Sequence, residues 1–323
     1  MNRRRSLLAL TALACAHYAR AQQARRVYRI GYPAISPLHG LRPFLSALEQ
    51  GLRDLGYEPG KDVLIDVRSA DGDYLRYPQL VREVVRTNPD IMLTAVNANT
   101  TEVKAATQSI PIVMTMGSDV LRAGYANTLA RPGGNITGLS TDLGAEVQTK
   151  RLELLREAVP ALSRVAILSE PPHREDYRQA LVTTAGLLRM ETLWVEYSGN
   201  LEEDFARIAR WRANGIFHLP QARMFGRRAE ITALDAKHRL SAAYTASEFV
   251  EAGGLMAYGA NLAALFRSAA TYIDKIFKGA KPGELPIQQP SRIDLVINLN
   301  TARALGVTIP SSILLRADRL ISG

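Results

Sequence analysis

Residues 253–310 read GGLMAYGANLAALFRSAATYIDKIFKGAKPGELPIQQPSRIDLVINLNTARALGVTIP. A short run of strand character, Leu255 to Tyr258, ends at Gly259. A helix is predicted next, because Leu262, Leu265, Phe266, Ala269, Ile273 and Ile276 fall at helical spacing. Lys278 and Gly279 stop it, a basic last turn with glycine beyond. A turn rich in proline and glycine leads to an apolar strand, Leu295 to Leu299. Asn300 is placed to cap a short helix over 301–305. One helix is thus flanked by two strands, and the second strand arrives only after a long connection.

Working outward, strand-length apolar runs alternate with helix-period segments along the whole chain. Strands are predicted at 27–32, 63–69, 91–96, 111–116, 165–169, 192–197, 215–220, 241–245, 254–259 and 294–299. Helices are predicted near 41–56, 76–88, 99–109, 145–159, 175–189, 201–213, 225–239, 261–278 and 311–320. Asn99 with Glu102, and Asn200 with Glu203, have capping-box spacing. Repeated strand–helix–strand order means an α/β protein with parallel sheets covered on both faces. That many strands exceed one small sheet and suit two. The break is expected at Arg131 to Gly144, RPGGNITGLSTDLG, which is glycine-rich and without period.

The first residues carry a different signal. Arg3, Arg4 and Arg5 precede an apolar run from Leu7 to Ala16, and Ala19-Arg20-Ala21 offers small residues for cleavage. This is the pattern of a secretory signal peptide over 1–21. The run is shorter than the ~20 residues of a membrane span. Cys15 is the one cysteine and lies in that segment, so the mature chain carries no disulfide or thiolate chemistry. The formal charge of +9 includes four arginines that leave with the leader. No dense basic cluster interleaved with aromatics points to nucleic acid.

The phrase LVINLNTARALGVTIP, Leu295 to Pro310, resembles the C-terminal signature of a substrate-binding protein family of bacterial ABC importers. That group includes tryptophan- and phenylalanine-binding members. Further similar phrases are FLSALEQGLRDLGYEPGKDVLID from Phe44, IPIVMTMGSDVLRAGYANTLARPGGNITGLS from Ile110, KRLELLREAVPALSRVAIL from Lys150 and EFVEAGGLMAYG from Glu248. The resemblance implies a type I periplasmic binding fold: two doubly wound parallel-sheet lobes joined by a three-segment hinge. Lobe 1 is expected over 27–139 plus 258–286, and lobe 2 over 140–257 plus 287–323. The hinge is expected at 138–144, 253–260 and 284–294. The resemblance also implies a periplasmic monomer, a small-molecule ligand such as an amino acid or an aromatic or branched carboxylate, and an ABC permease as partner. It implies no cofactor. A ligand-sensing module of the same fold and a secreted α/β enzyme stand as alternatives.

Open parallel sheets bind ligands beyond the carboxyl ends of their strands. Between two such lobes, the candidate ligand-binding residues are therefore Ser36, Asn97, Ser118, Asp119, Thr141, Asp142, Gln221, Tyr244 and Tyr258. Tyrosines offer an apolar wall and the small polar groups orientation. Asp119 or Asp142 is placed to meet a ligand ammonium, and backbone N–H groups after Asn97 or Ser118 to hold a carboxylate. No P-loop, HExxH, GxSxG or CxxC is present, so no catalytic residue is assigned. Gly133-Gly134-Asn135-Ile136-Thr137-Gly138 does not follow the first strand and is no dinucleotide fingerprint. His39, His173, His218 and His238 lack metal-ligand spacing, and His218, inside a strand, reads as structural.

Overall fold

Among the described residues, twelve strands and the helices between them sort into a five-stranded and a seven-stranded sheet as soon as their partners are traced. The computed structural model describes residues 26–171, 174–220 and 222–323; the leader 1–21 with Cys15, His173 and Gln221 lie outside the described residues. The first lobe is built from β1 (Tyr28–Ala34), α1 (Leu38–Asp54), β2 (Val63–Ser69), α2 (Tyr77–Arg86), β3 (Ile91–Thr94), α3 (Asn97–Ala106), β4 (Ile112–Gly117) and β5 (Ile136–Ser140). Its sheet runs in the order β2-β1-β3-β4-β5 and is parallel throughout. Every residue of β3, β4 and β5 is buried, as a sheet covered on both faces requires.

The second lobe follows with α4 (Gly144–Ala158), β6 (Arg164–Ser169), α5 (Glu175–Leu187), β7 (Glu191–Glu196), α6 (Leu201–Arg210), β8 (Gly215–His218), α7 (Ala222–Phe225), α8 (Arg228–Lys237), β9 (Ser241–Tyr244), α9 (Ser247–Glu251) and β10 (Met256–Ala260). The chain then places α10 (Leu262–Phe277) on the first lobe. It returns through β11 (Ile293–Asn298), α11 (Leu299–Leu305), α12 (Ser311–Leu314) and β12 (Arg319–Ile321). The second sheet runs β12-β11-β10-β9-β8-β6-β7.

Several sequence expectations change here. The glycine-rich break contains a strand: Ile136 to Ser140 pairs in parallel with β4. The helix expected over 311–320 stops at Leu314, and Arg319–Ile321 joins the sheet beside β11. The sheet is also not wholly parallel, because β10 and β11 are antiparallel, with Tyr258 opposite Leu295. The reason is topological. The chain leaves β10 at the cleft to deposit α10 on the other lobe and comes back at the cleft, so β11 must run away from it. Strand β10 stays in the second sheet to Ala260, so the change of lobe falls after that residue. Of the caps, Asn200 accepts from the Glu203 N–H as its spacing predicts. Asn99 lies inside α3, whose cap is Val96, and Asn298 rather than Asn300 caps α11.

Two of the three crossings lie side by side. Ser140 N–H donates to the Gln288 carbonyl at 2.8 Å, Gln288 N–H to the Gly138 carbonyl at 3.0 Å, and Gln289 Nε2 to the Asp142 carbonyl at 2.9 Å. Segments 138–142 and 288–289 are therefore laced to each other.

Helix α10 is held on the first lobe by α1. Phe266 stacks on Phe44 at 5.2 Å, Phe277 on Tyr28 at 3.9 Å, and Tyr57 Oη donates to Asp274 at 3.0 Å. Gly51 permits the contact: a Cβ there would sit 2.3 Å from the Arg267 carbonyl oxygen and 2.9 Å from the Ala270 Cβ. Gly51→Ala is expected to force the helices apart and cost about 1–3 kcal/mol. Urea unfolding checks this, as a lowered midpoint at unchanged slope; an unchanged midpoint would mean the helices reseat freely.

Candidate functional site

The carboxyl ends of the two sheets face each other across a cleft, and three cavities open along it. The innermost, about 130 Å³, is floored by Met116, Leu143, Phe225 and Leu262 and edged by Asn97, Ser118, Thr141 and Thr245. A larger chamber of about 410 Å³ adjoins it through Val96, Met116 and Phe225, which line both. Its walls are aromatic: Tyr32, Phe44, Tyr74, Phe266 and, from the second lobe, Tyr197. The third, about 220 Å³, is polar and charged, with Asp119, Asp142, Arg122, Arg174 and Tyr177.

The strand-end rule locates this cleft, but it does not give every side chain the role expected of it. Ser36 borders the aromatic chamber. Asn97, Ser118 and Thr141 line both the inner and the charged cavity. The Asn97 amide is committed: its Nδ2 donates to the Ser118 carbonyl at 2.6 Å and its Oδ1 accepts from the Ser118 N–H at 2.9 Å. That N–H is therefore spent on fastening two strand-end loops and is not offered to a ligand. Thr141 spends its N–H on the Gly117 carbonyl at 2.7 Å.

Asp119 and Asp142 are not open partners for an ammonium. Arg174 Nη1 lies 3.1 Å from Asp142 Oδ2 and 3.8 Å from Asp119 Oδ2. Tyr177 Oη donates to Asp142 Oδ1 at 2.7 Å, and Arg122 adds a contact to Asp119 at 3.2 Å. Asp176, with Asp142 behind it, holds the Arg174 guanidinium above its ordinary range. Burial first, then Asp142, pushes the Tyr177 phenol upward.

The two tyrosines move out of the site. Tyr244 is 0% exposed. Its ring stacks between His218 at 4.8 Å and Phe249 at 4.9 Å, and its hydroxyl donates to Asp235. Burial, reinforced by Asp235, lifts that phenol well above its ordinary value. Tyr258 is half-buried against the apolar core of the second lobe and lines none of the three cavities. Tyr258 lies in the middle of β10, two residues short of its end at Ala260, and Tyr244 is the last residue of β9, still packed beneath a helix. The next residue, Thr245, reaches the cleft. His218 is the structural histidine its strand position implies, with Nε2 3.1 Å from Asp235.

Sequence reasoning missed Gln148 and Arg151. Both lie on α4, one turn apart, and both line the inner cavity. Arg151 is 1% exposed. Its Nη2 donates to Gln148 Oε1 at 2.5 Å and to the His218 carbonyl at 3.2 Å, and its guanidinium lies 4.4 Å over the Phe217 ring. Its Nε is buried without a partner, and among the described residues no carboxylate pairs with it. Burial lowers its pKa to about 9, still charged at neutral pH. The signal was present: Gln148 and Arg151 fall on the helix face that also buries Leu152 and Leu155, where polar residues need a reason.

A still larger groove, about 580 Å³, lies between α1, α9 and the β11–β12 edge and shares Phe44 with the aromatic chamber. Its charges answer one another: Arg292 with Asp294 and Asp318, and Arg319 with Glu251. It is a solvated seam rather than a ligand site. One group there is out of balance. Burial, and to a lesser degree Glu251, raises the Glu248 carboxyl to about 7, while Arg228 and Arg319 oppose the shift. A carboxyl raised in the folded state favours folding most below its unfolded pKa and loses that contribution as pH rises through about 7. Glu248→Gln is therefore expected to stabilise the protein at pH 8 by on the order of 1–2 kcal/mol and to do little at pH 4. Denaturant midpoints at the two pH values check it; an equal effect at both would contradict the assignment.

Two α/β lobes, three crossings and a cleft at facing strand ends define a type I periplasmic binding fold. The chain belongs to the ABC transporter substrate binding protein family, whose sequence model matches residues 39–321. It is 23% identical over 265 residues to the tyrosine-binding protein of Clostridioides difficile, covering 81% of this chain and 75% of that one. Among solved structures it resembles a conserved domain protein of Vibrio cholerae, with TM-score 0.81 and 26% identity over 91% of this chain and all of that one. It also resembles a Streptococcus ABC domain solved in complex with L-Trp, with TM-score 0.80 and 22% identity at the same coverage.

Proposed function

We propose that the protein is the periplasmic substrate-binding component of an ABC importer. It captures a small organic solute, an amino acid or an aromatic or branched carboxylate, and delivers it to a membrane permease. The observation that carries this reading is the pair of adjoining cavities at the facing strand ends, one aromatic-walled and one small and polar-edged. Such a site buries an apolar body and orients one polar end. The family assignment supports transport rather than catalysis, and the tyrosine- and tryptophan-binding relatives support the ligand class. The leader over 1–21 supports export, with Gln22 as the first mature residue.

Capture works by population shift. Ligand bridging the cleft stabilises the closed arrangement of the lobes, with the crossings at 138–144, just after Ala260 and at 284–294 absorbing the rotation. Gly259 marks the tight point: a Cβ there would lie 1.8 Å from the Thr245 carbonyl oxygen. The charged cavity, with Asp119 and Asp142 tied to Arg174, serves as the rim of this cleft.

Calorimetry on protein stripped of co-purified ligand tests the reading, with tyrosine, tryptophan, phenylalanine, leucine and a pentose. An amino acid is expected to bind and the pentose to stay silent. Ligand at about 100 times its dissociation constant should add about 2.7 kcal/mol of stability. Small-angle scattering should show compaction at saturation. Pentose binding with no amino-acid signal would overturn the ligand class.

A further inference from the structure

The inner cavity contains a charge with no counter-charge. Arg151 is buried, its Nε has no partner, and the groups it does touch, the Gln148 amide and the His218 carbonyl, are neutral. A cation held out of water without an anion is costly unless something supplies one. The aromatic face of Phe217 compensates in part. Among the described residues no carboxylate side chain lines the inner cavity. The acids of the neighbouring charged cavity are already engaged: Asp142 by Arg174 and Tyr177, Asp119 by Arg122 and Arg174.

We infer that Arg151, oriented by Gln148, is the receptor for the ligand's carboxylate, and that the site selects its ligand by that anion and not by an ammonium. This rests on the proposed capture of an apolar carboxylate in the cleft and names the group that recognises it. A guanidinium makes strong, charge-assisted hydrogen bonds to a carboxylate, and Nε is a donor that Arg151 does not spend on Gln148 or His218. With the carboxylate at Arg151, the ligand body extends past Met116 and Phe225 into the chamber walled by Tyr32, Phe44 and Phe266. Amino acids and their deaminated analogues then bind alike.

Three probes with one aromatic body separate the contributions: L-tyrosine, 3-(4-hydroxyphenyl)propanoate and tyramine. Wild-type protein is expected to bind the first two within about tenfold of each other and to bind tyramine on the order of 100-fold more weakly. Arg151→Met should weaken both carboxylates by a similar factor, and Arg151→Lys should restore part of the loss. Tyramine binding as tightly as tyrosine, or tyrosine binding unchanged in Arg151→Met, would overturn the inference. A second measurement needs no ligand. If Arg151 is an uncompensated cation, Arg151→Met melts at or above the wild-type temperature in the ligand-free state. A drop of many degrees would make Arg151 a structural group and sink the proposal. If none of the probes binds wild-type protein, the aromatic ligand class of the proposed function is what fails, and the melting comparison still decides the role of Arg151.

Discussion

The chain passes between its two sheets three times, always on the cleft side where the parallel strands end, and most of the architecture is a consequence. Because β10 must hand the chain to α10 on the other lobe, β11 returns antiparallel. Because segment 138–142 leaves where 288–289 arrives, the two hydrogen-bond to each other and cover the outer edge of β5. An edge strand so covered is protected from pairing with another chain. The same crossings oblige the facing strand ends to define one cleft, so loops that would be unrelated in two separate domains line a shared cavity. Within the lobes, Gly51, Gly138 and Gly259 are places where neighbouring backbone leaves no room for a side chain.

Two arginines show how burial and pairing divide the labour within the cleft. Arg174 lies at the wetter rim and collects Asp119, Asp142 and Asp176. Its pairs are partly exposed, so each is worth under about 1 kcal/mol. They shape the rim and link the lobes without locking them. Arg151 lies inside, with neutral partners only. In an apolar surrounding its attraction for an anion is screened far less than at the rim. A site that must discriminate between solutes gains most from the charge that water does not weaken.

The alternation of strand and helix was legible because each buried strand is a short apolar run between turn residues. Segments such as Val165 to Ser169 and Leu295 to Asn298 allow no other reading. Strand β5 was not legible, since Ile136 to Ser140 contains Gly138 and follows Pro132-Gly133-Gly134; its pairing with β4 and cover by Gln288 make it a strand. Strand β12 spans three residues, too few to show a period, and exists through Val296 opposite Arg319. The cleft was legible from the strand-end rule, but side-chain direction was not. Tyr244 and Thr245 are adjacent in sequence, yet one is sealed in the core and the other lines the cavity. Arg151 could be found only by asking why a charge sits on the buried face of an otherwise leucine-lined helix.

Contacts that span the lobes are few beside those within each lobe. Phe225 of the second lobe meets Phe44 of the first at 6.3 Å, and Arg174 reaches Asp119 at 3.8 Å. An aromatic pair contributes about 0.5–1.5 kcal/mol and an exposed ion pair less. Neither is enough to hold two domains together against their freedom to separate. On the proposed reading, closure therefore depends on what lies between the lobes. A ligand shifts the equilibrium only by its difference in affinity for the two arrangements. Met116 and Phe225, contributed by opposite lobes to both cavities, form the sandwich that creates such a difference. Arg151 reaches from the second lobe alone, so the anionic end of a ligand can be held before the aromatic wall of the first lobe closes on its body.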